Sequence, residues 1–364
     1  MRWPGSMSCP GRSPGWRSGR SRLPPSSVRA RFSPKACPQA RPGASRLEEK
    51  GAMMSQDFAI DYLLSPTGAR LAARVKPAQG QPRAIVMIHH GLAEHAGRYA
   101  RFADFLSARG FHVCAHDHRG HGKTEAPDAP RGVFSLEGNG WDKVMADAIF
   151  LRGYMNERFG DLPTIVFGHS MGGVVAMNHA QDEHRRLAGV AVWNSNLALG
   201  GMTGLMRAVL WTEGLFKKET EISTWLNALT FDQFGKQVKH RRTPQDWLSR
   251  IPEEVDAYIA DPDAGWRPTI SLWKDLVTGF ERAEDGARIE AMRRDLPIHL
   301  AGGGADPATD NGKAVRKFAE RLKADRFTDL TLRIDPKGRH ETLNDLGREA
   351  AMDDFADWAD RVAM

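Results

Sequence analysis

Cysteine is nearly absent from this chain. Of three among 364 residues, Cys9 and Cys37 lie near the start and Cys114 stands alone beyond them. The main body therefore holds no disulfide framework and no cysteine zinc cluster, and a reducing, cytoplasmic setting is expected. Long apolar runs are missing as well. No stretch reaches the roughly 18 residues of a membrane span, and the start lacks the apolar core of a secretory signal.

Acidic residues are absent from the first 47 positions, which carry nine Arg and one Lys. That segment accounts for more than the whole formal charge of +6, because the remainder has 41 basic against 45 acidic residues. The body thus has no charge excess that would favour nucleic acid. Residues 1–53, rich in Arg, Pro, Ser and Gly, bury too little apolar surface to offset their chain entropy, so disorder is expected there. The same composition fits an organelle transit peptide. Because the body reads as complete from Met53 or Met54, a translation start at one of these is the favoured expectation.

What is present is alternation. Residues 58–75 read as two short strands around a Ser-Pro-Thr-Gly turn. The runs AIVMIHH, FHVCAHD, TIVFGHS, LAGVAVWNS, LPIHLAGGGAD and DLTLRID read as strands, most with a helical pattern following. The class expected is α/β, with a mostly parallel sheet covered by helices on both faces. The core spans 54–195 and 295–364. Over 196–294 the alternation stops, and so long a break predicts a helical cap or lid insertion. Its aromatic and Met residues, with Trp193, Met202, Met206, Trp211, Phe216, Trp225, Phe231 and Phe234, suit an acyl-chain tunnel, a lid touching a lipid surface, or plain cap core.

Gly-x-Ser-x-Gly occurs twice, around Ser13 and around Ser170. Only the second lies between a strand and a helix, the setting a nucleophile elbow requires. There Met171 can donate its N–H to an oxyanion, whereas Pro14 has none to give. A serine hydroxyl needs a base, and the base needs an orienting carboxylate. Of the five histidines after Ser170, His340 alone follows a carboxylate at a strand end, on the loop after the last strand. That carboxylate is Asp306, with Asp310 as the alternative deeper in the loop. Ser170, Asp306 and His340 all fall at carboxyl ends of strands, where open parallel sheets place their ligands. The second oxyanion donor is expected in His90-Gly91-Leu92, at the N–H of Leu92.

The segments HHGLAEHAGRYARFADFL, AHDHRGHGKTEAP, GHSMGG, GGGADPAT and GRHETLND, in this order, resemble the monoacylglycerol lipase and lysophospholipase branch of the α/β-hydrolases, a serine aminopeptidase S33-type branch. The resemblance covers about Met54 to Met364. It implies the α/β-hydrolase fold, a mobile cap, a lipid-like carboxylic ester as substrate, and no metal or other cofactor. An aminopeptidase or acyltransferase on the same triad is the alternative. It also implies that Glu94 and Arg98 line the polar end of the pocket; a structural ion pair between them is the competing reading. In one respect the chain departs from the pattern. Where the monoacylglycerol lipases place a second histidine that helps to hold glycerol, this chain has Leu343, so the loop looks more like that of bacterial lysophospholipase-type hydrolases.

Two other patterns are set aside. His116-Asp117-His118-Arg119-Gly120-His121 is like a metallo-hydrolase zinc motif but has Gly120 where that motif has aspartate. Gly122-Lys123-Thr124 mimics the end of a phosphate-binding loop, but Asp117 stands where its first glycine belongs.

Overall fold

The computed structural model describes residues 58–364. The expectations for the tail, and the Gly-x-Ser-x-Gly copy at Ser13, lie outside the described residues. From Phe58 the chain begins with a hairpin of β1 (Ile60–Leu64) and β2 (Arg70–Lys76). Then follow β3 (Ala84–His89), α1 (Ala100–Ala108), β4 (Phe111–His116), α2 (Gly140–Phe159), β5 (Thr164–His169), α3 (Met171–Glu183) and β6 (Gly189–Trp193).

Six helices come next: α4 (Met202–Gly214), α5 (Thr224–Leu229), α6 (Phe231–Gln237), α7 (Pro252–Ala260), α8 (Ile270–Glu284) and α9 (Gly286–Ala291). The alternation then resumes with β7 (Ile298–Gly303), α10 (Lys313–Ala324), β8 (Leu330–Asp335) and α11 (Arg348–Val362).

The eight strands form one sheet in the order β1-β2-β4-β3-β5-β6-β7-β8. The pairs β1/β2 and β2/β4 are antiparallel and the rest parallel. Every residue of β3, β4, β5, β6 and β7 is buried, which is why these strands read as continuous apolar runs rather than alternating ones. One face packs Phe102, Phe355 and Trp358 of α1 and α11. The other packs Trp141, Val174 and Phe318 of α2, α3 and α10.

Local chemistry sets the helix ends. The Asn139 side chain accepts from the N–H groups of Trp141 and Asp142 and so caps α2. Gly160 closes that helix with φ 87°, a conformation costly for other residues.

Within 196–294, α8 contributes more of the buried core than any other helix, with Leu210 of α4 and Leu226 of α5 adding one residue each. Ile270, Leu272, Leu276 and Val277 of α8 belong to the same buried cluster as α2 and α3. A Cβ on Gly279 would lie 2.3 Å from Trp141, so α8 needs glycine there to sit so close. α8 is thus built into the main helix layer. The segment ahead of it, 202–260, carries most of the exposed large apolar residues among the described ones, Phe216 at 82% and Trp211 at 67% among them.

Candidate active site

β5 ends one residue before Ser170, which sits at φ 55° and ψ −120° ahead of α3. A side chain rarely tolerates this backbone, and the neighbours make it possible. A Cβ on Gly168 would fall 1.9 Å from the Gly172 oxygen, and one on Gly172 would fall 2.0 Å from the His89 oxygen. Only glycine lets strand, turn and helix close this tightly. The strain is held by hydrogen bonds: Ser170 N–H donates to the Trp193 carbonyl at 2.8 Å, and the Ser195 hydroxyl donates to the Ser170 carbonyl.

Three sequence-distant side chains converge at this turn. His340 Nε2 lies 2.9 Å from Ser170 Oγ. Its Nδ1 lies 3.0 Å from both oxygens of Asp306. Asp306 is fully buried and also accepts from Ala308 N–H at 2.9 Å, Thr309 Oγ1 at 3.0 Å and Asn194 Nδ2 at 3.2 Å. Burial alone would raise its pKa. The charge and hydrogen bond of His340, with the bonds from Asn194 and Thr309, hold it below the usual carboxylate value instead. Asp306 therefore stays ionised, and the ring proton of His340 is fixed on Nδ1, leaving Nε2 free to accept from the serine. Asp310, at the exposed edge of the cavity described below, is left-handed at φ 50° and paired with Lys313 at 3.3 Å rather than with His340.

The loop after β3 runs alongside the serine: a Cβ on Gly91 would lie 3.3 Å from Ser170 Cβ. Leu92 and Met171 flank Ser170 on the wall of a cavity of about 320 Å³. Met171 is the first residue of α3, so its N–H has no acceptor within the helix. The rest of the wall is mainly apolar: Leu205, Met206, Val209, Leu226, Phe231, Phe234, Trp247 and Phe280 among others.

Glu94 reaches this wall, and Arg98 does not. Arg98 stands behind it, donating to Glu94 Oε2 at 2.5 Å and, with both arms, to Glu341 at 2.7 Å. Glu94 Oε1 accepts from Gly91 N–H at 2.5 Å and Tyr99 Oη at 2.8 Å. Burial would raise the Glu94 pKa, but Arg98 and His169 hold it well below the usual glutamate value. The pair ties the loop after β3 to the loop carrying His340.

Residues 80–347 match the family described as serine aminopeptidase, S33. The chain belongs to this family. A monoacylglycerol lipase of Mycolicibacterium smegmatis is 26% identical to it over 298 residues, covering 80% of this chain and 93% of its own. The human monoglyceride lipase is 29% identical over 278 residues, 76% of this chain and 81% of its own. Among solved structures, a thermostable carboxyl esterase from Bacillus coagulans, 24% identical, superposes with a TM-score of 0.74 over 84% of this chain and 99% of its own, sharing the α/β-hydrolase fold.

For this S33-type chain, sequence reasoning passed over several residues of the site. Glu341 adjoins His340, and an acid next to the expected base was a usable signal. Asn194, at the end of β6 with φ 51°, steadies Asp306, and its position at a strand end was the clue. His169 and Tyr258, both on the cavity wall, carry no sequence signal that sets them apart.

The two patterns set aside have physical accounts. Asp117 turns its carboxylate into the Gly122-Lys123 turn, accepting from Lys123 N–H at 2.8 Å and pairing with Arg74. His116 and His118 meet His89 in a buried cluster whose nitrogens lie within 4.8 Å of one another. The His89 and His118 rings also stack, at 23° between planes, rather than converging edge-on upon one point.

Proposed function

We propose that this chain is a serine hydrolase of lipid-like carboxylic esters, of the monoacylglycerol or lysophospholipid class. The observation that carries the reading is the ordered chain of contacts from Ser170 through His340 to Asp306, opening onto an apolar cavity. Ser170 Oγ attacks the acyl carbonyl while His340 Nε2 takes its proton, and Asp306 keeps the imidazole oriented and stabilises its charge. The N–H groups of Leu92 and Met171 hold the oxyanion. His340 then gives its proton to the departing alcohol. The acyl-enzyme is cleared by water that His340 activates in turn, restoring Ser170. No step calls for a metal or other cofactor.

Within residues 196–294 the helices ahead of α8 supply the cap of this enzyme, and the apolar residues of α4 to α6 on the cavity wall receive the acyl chain. The exposed Trp211, Leu215 and Phe216 suit a transient contact with a lipid surface. No helix among the described residues is long and apolar enough to cross a membrane. Loss of vesicle binding in a Trp211→Ser, Phe216→Ser protein tests the contact; unchanged co-sedimentation would remove it. Glu94 and Arg98 shape the polar end, Glu94 by facing the cavity and Arg98 by holding Glu94. Leu343 is packed into the core with Ala351 and Met352, so it offers no hydrogen bond to a glycerol head group.

Of the alternatives on the same triad, an aminopeptidase is favoured only by the family's description, and nothing favours an acyltransferase. Assays on peptide amides, and on esters with alcohol acceptors, separate them from hydrolysis. Replacement of Ser170 by Ala should abolish both turnover of a medium-chain nitrophenyl ester and labelling by a fluorophosphonate. Retention of wild-type turnover by that variant would refute the proposal.

A further inference from the structure

His169 touches Ser170 along the chain and His340 across space, yet the acyl-transfer steps do not use it. Its ring is buried between two loops. Nε2 lies 2.9 Å from the main-chain carbonyl of His340, and a carbonyl can only accept, so Nε2 carries a proton. Nδ1 lies 3.4 Å from Glu94 Oε1, the carboxylate that already receives Gly91 N–H and Tyr99 Oη. Facing an ionised carboxylate, Nδ1 is placed to donate as well. The other charged groups nearby are Arg98 and Glu341, one a cation paired to both acids, the other a second anion. The ring centroid of His340 is 4.9 Å away.

We infer that His169 is a doubly protonated positioning residue that clamps the backbone of His340 to the loop carrying Leu92. One imidazolium links the two loops: through Glu94 and Gly91 to the oxyanion side, and through the His340 carbonyl to the base. The clamp acts on the peptide of His340, leaving its ring free to exchange protons with Ser170. It rests on the reading of Ser170, His340 and Asp306 as the reacting set. Burial works against the charged ring, but the hydrogen bond and charge of Glu94, then Glu341 and the His340 carbonyl, raise its pKa above the usual imidazole value. The clamp is therefore complete below the ordinary histidine pKa and lets go as pH rises through the raised folded value.

The test uses the full chain in two measurements. In wild-type protein labelled with ¹⁵N-histidine, His169, assigned by comparison with His169→Gln, should show both ring nitrogens protonated at pH 7 and titrate above the free imidazole. A neutral ring at pH 7 overturns the inference, whatever the variants do. In kinetics on a medium-chain nitrophenyl ester, His169→Gln keeps one donor for the His340 carbonyl but loses the charge toward Glu94. Its kcat should fall about 10- to 100-fold, the range expected for losing a charge-assisted hydrogen bond, with KM within about twofold. Its alkaline loss of kcat, present in the wild type, should vanish. A kcat unchanged in a variant that melts like the wild type overturns the inference while leaving the triad intact. Activity surviving in Ser170→Ala would instead sink the triad on which the inference rests.

Discussion

Asp306→Asn tests the site at its most constrained point. The carboxylate has two oxygens and four donors directed at them: Ala308 N–H on one oxygen, Thr309 Oγ1 and Asn194 Nδ2 on the other, and His340 Nδ1 on both. An amide can present only one oxygen. If its NH₂ takes the first place it meets Ala308 N–H. If it takes the second it meets Asn194 Nδ2, whose amide is oriented by Thr342 Oγ1 donating to Asn194 Oδ1 at 2.9 Å. Either way a buried donor faces a donor, at a cost to stability of about 1–3 kcal/mol. The imidazolium formed during acylation also loses its anion, and the ring loses its enforced tautomer. Together these should cost about 3–5 kcal/mol in the transition state, or roughly 10²- to 10⁴-fold in kcat. KM should stay within about threefold, because the substrate touches none of these atoms. The assay is steady-state hydrolysis of a medium-chain nitrophenyl ester, with Asp310→Asn alongside as the acid facing solvent. A folded Asp306→Asn protein with kcat within twofold of wild type, or an equal loss in Asp310→Asn, would refute the reasoning.

Arg98→Met should leave Glu94 and Glu341 as uncompensated buried anions and cost about 3–5 kcal/mol at pH 7.5 by urea unfolding. Glu94 is depressed in the folded wild type, so its contribution is present above the ordinary glutamate pKa and lost on acidification. The deficit of the variant should therefore hold down to the ordinary glutamate pKa and shrink as pH falls below it; a deficit that grows would contradict the ion-pair account. Asp275 is the opposite case. Burial pushes its pKa up to about 7, against the backbone bonds from Gly140 and Trp141 that pull it down. The wild type thus loses stability as pH rises from about 4 toward 7, and Asp275→Asn, which removes that titration, should raise Tm at pH 8 relative to pH 4 by comparison with wild type. An equal Tm difference at both pH values would show that Asp275 does not titrate in this range.

Much of the fold was legible in the chain because its signals are local. The buried strands read as unbroken apolar runs because both sheet faces are covered, and the helices announce themselves by period and by a stop such as Gly160. Ser170 was singled out by what surrounds it, since the steric need for Gly168 and Gly172 is written into neighbouring positions. Asp306 and His340 were legible for a topological reason: parallel strands all deliver their carboxyl ends to one edge.

What one-dimensional order left open was decided by packing. Arg98, expected either on the pocket wall or in a structural ion pair with Glu94, forms the pair and stands behind the wall, because Glu341, 243 residues away, takes both arms of its guanidinium. α8, within the stretch 196–294, packs against the main helix layer because Gly279 lets it approach Trp141. The charge state of His169 has no sequence signature at all. It arises only where a carboxylate from one loop and a carbonyl from another close on the same ring, and such a pairing exists only in three dimensions.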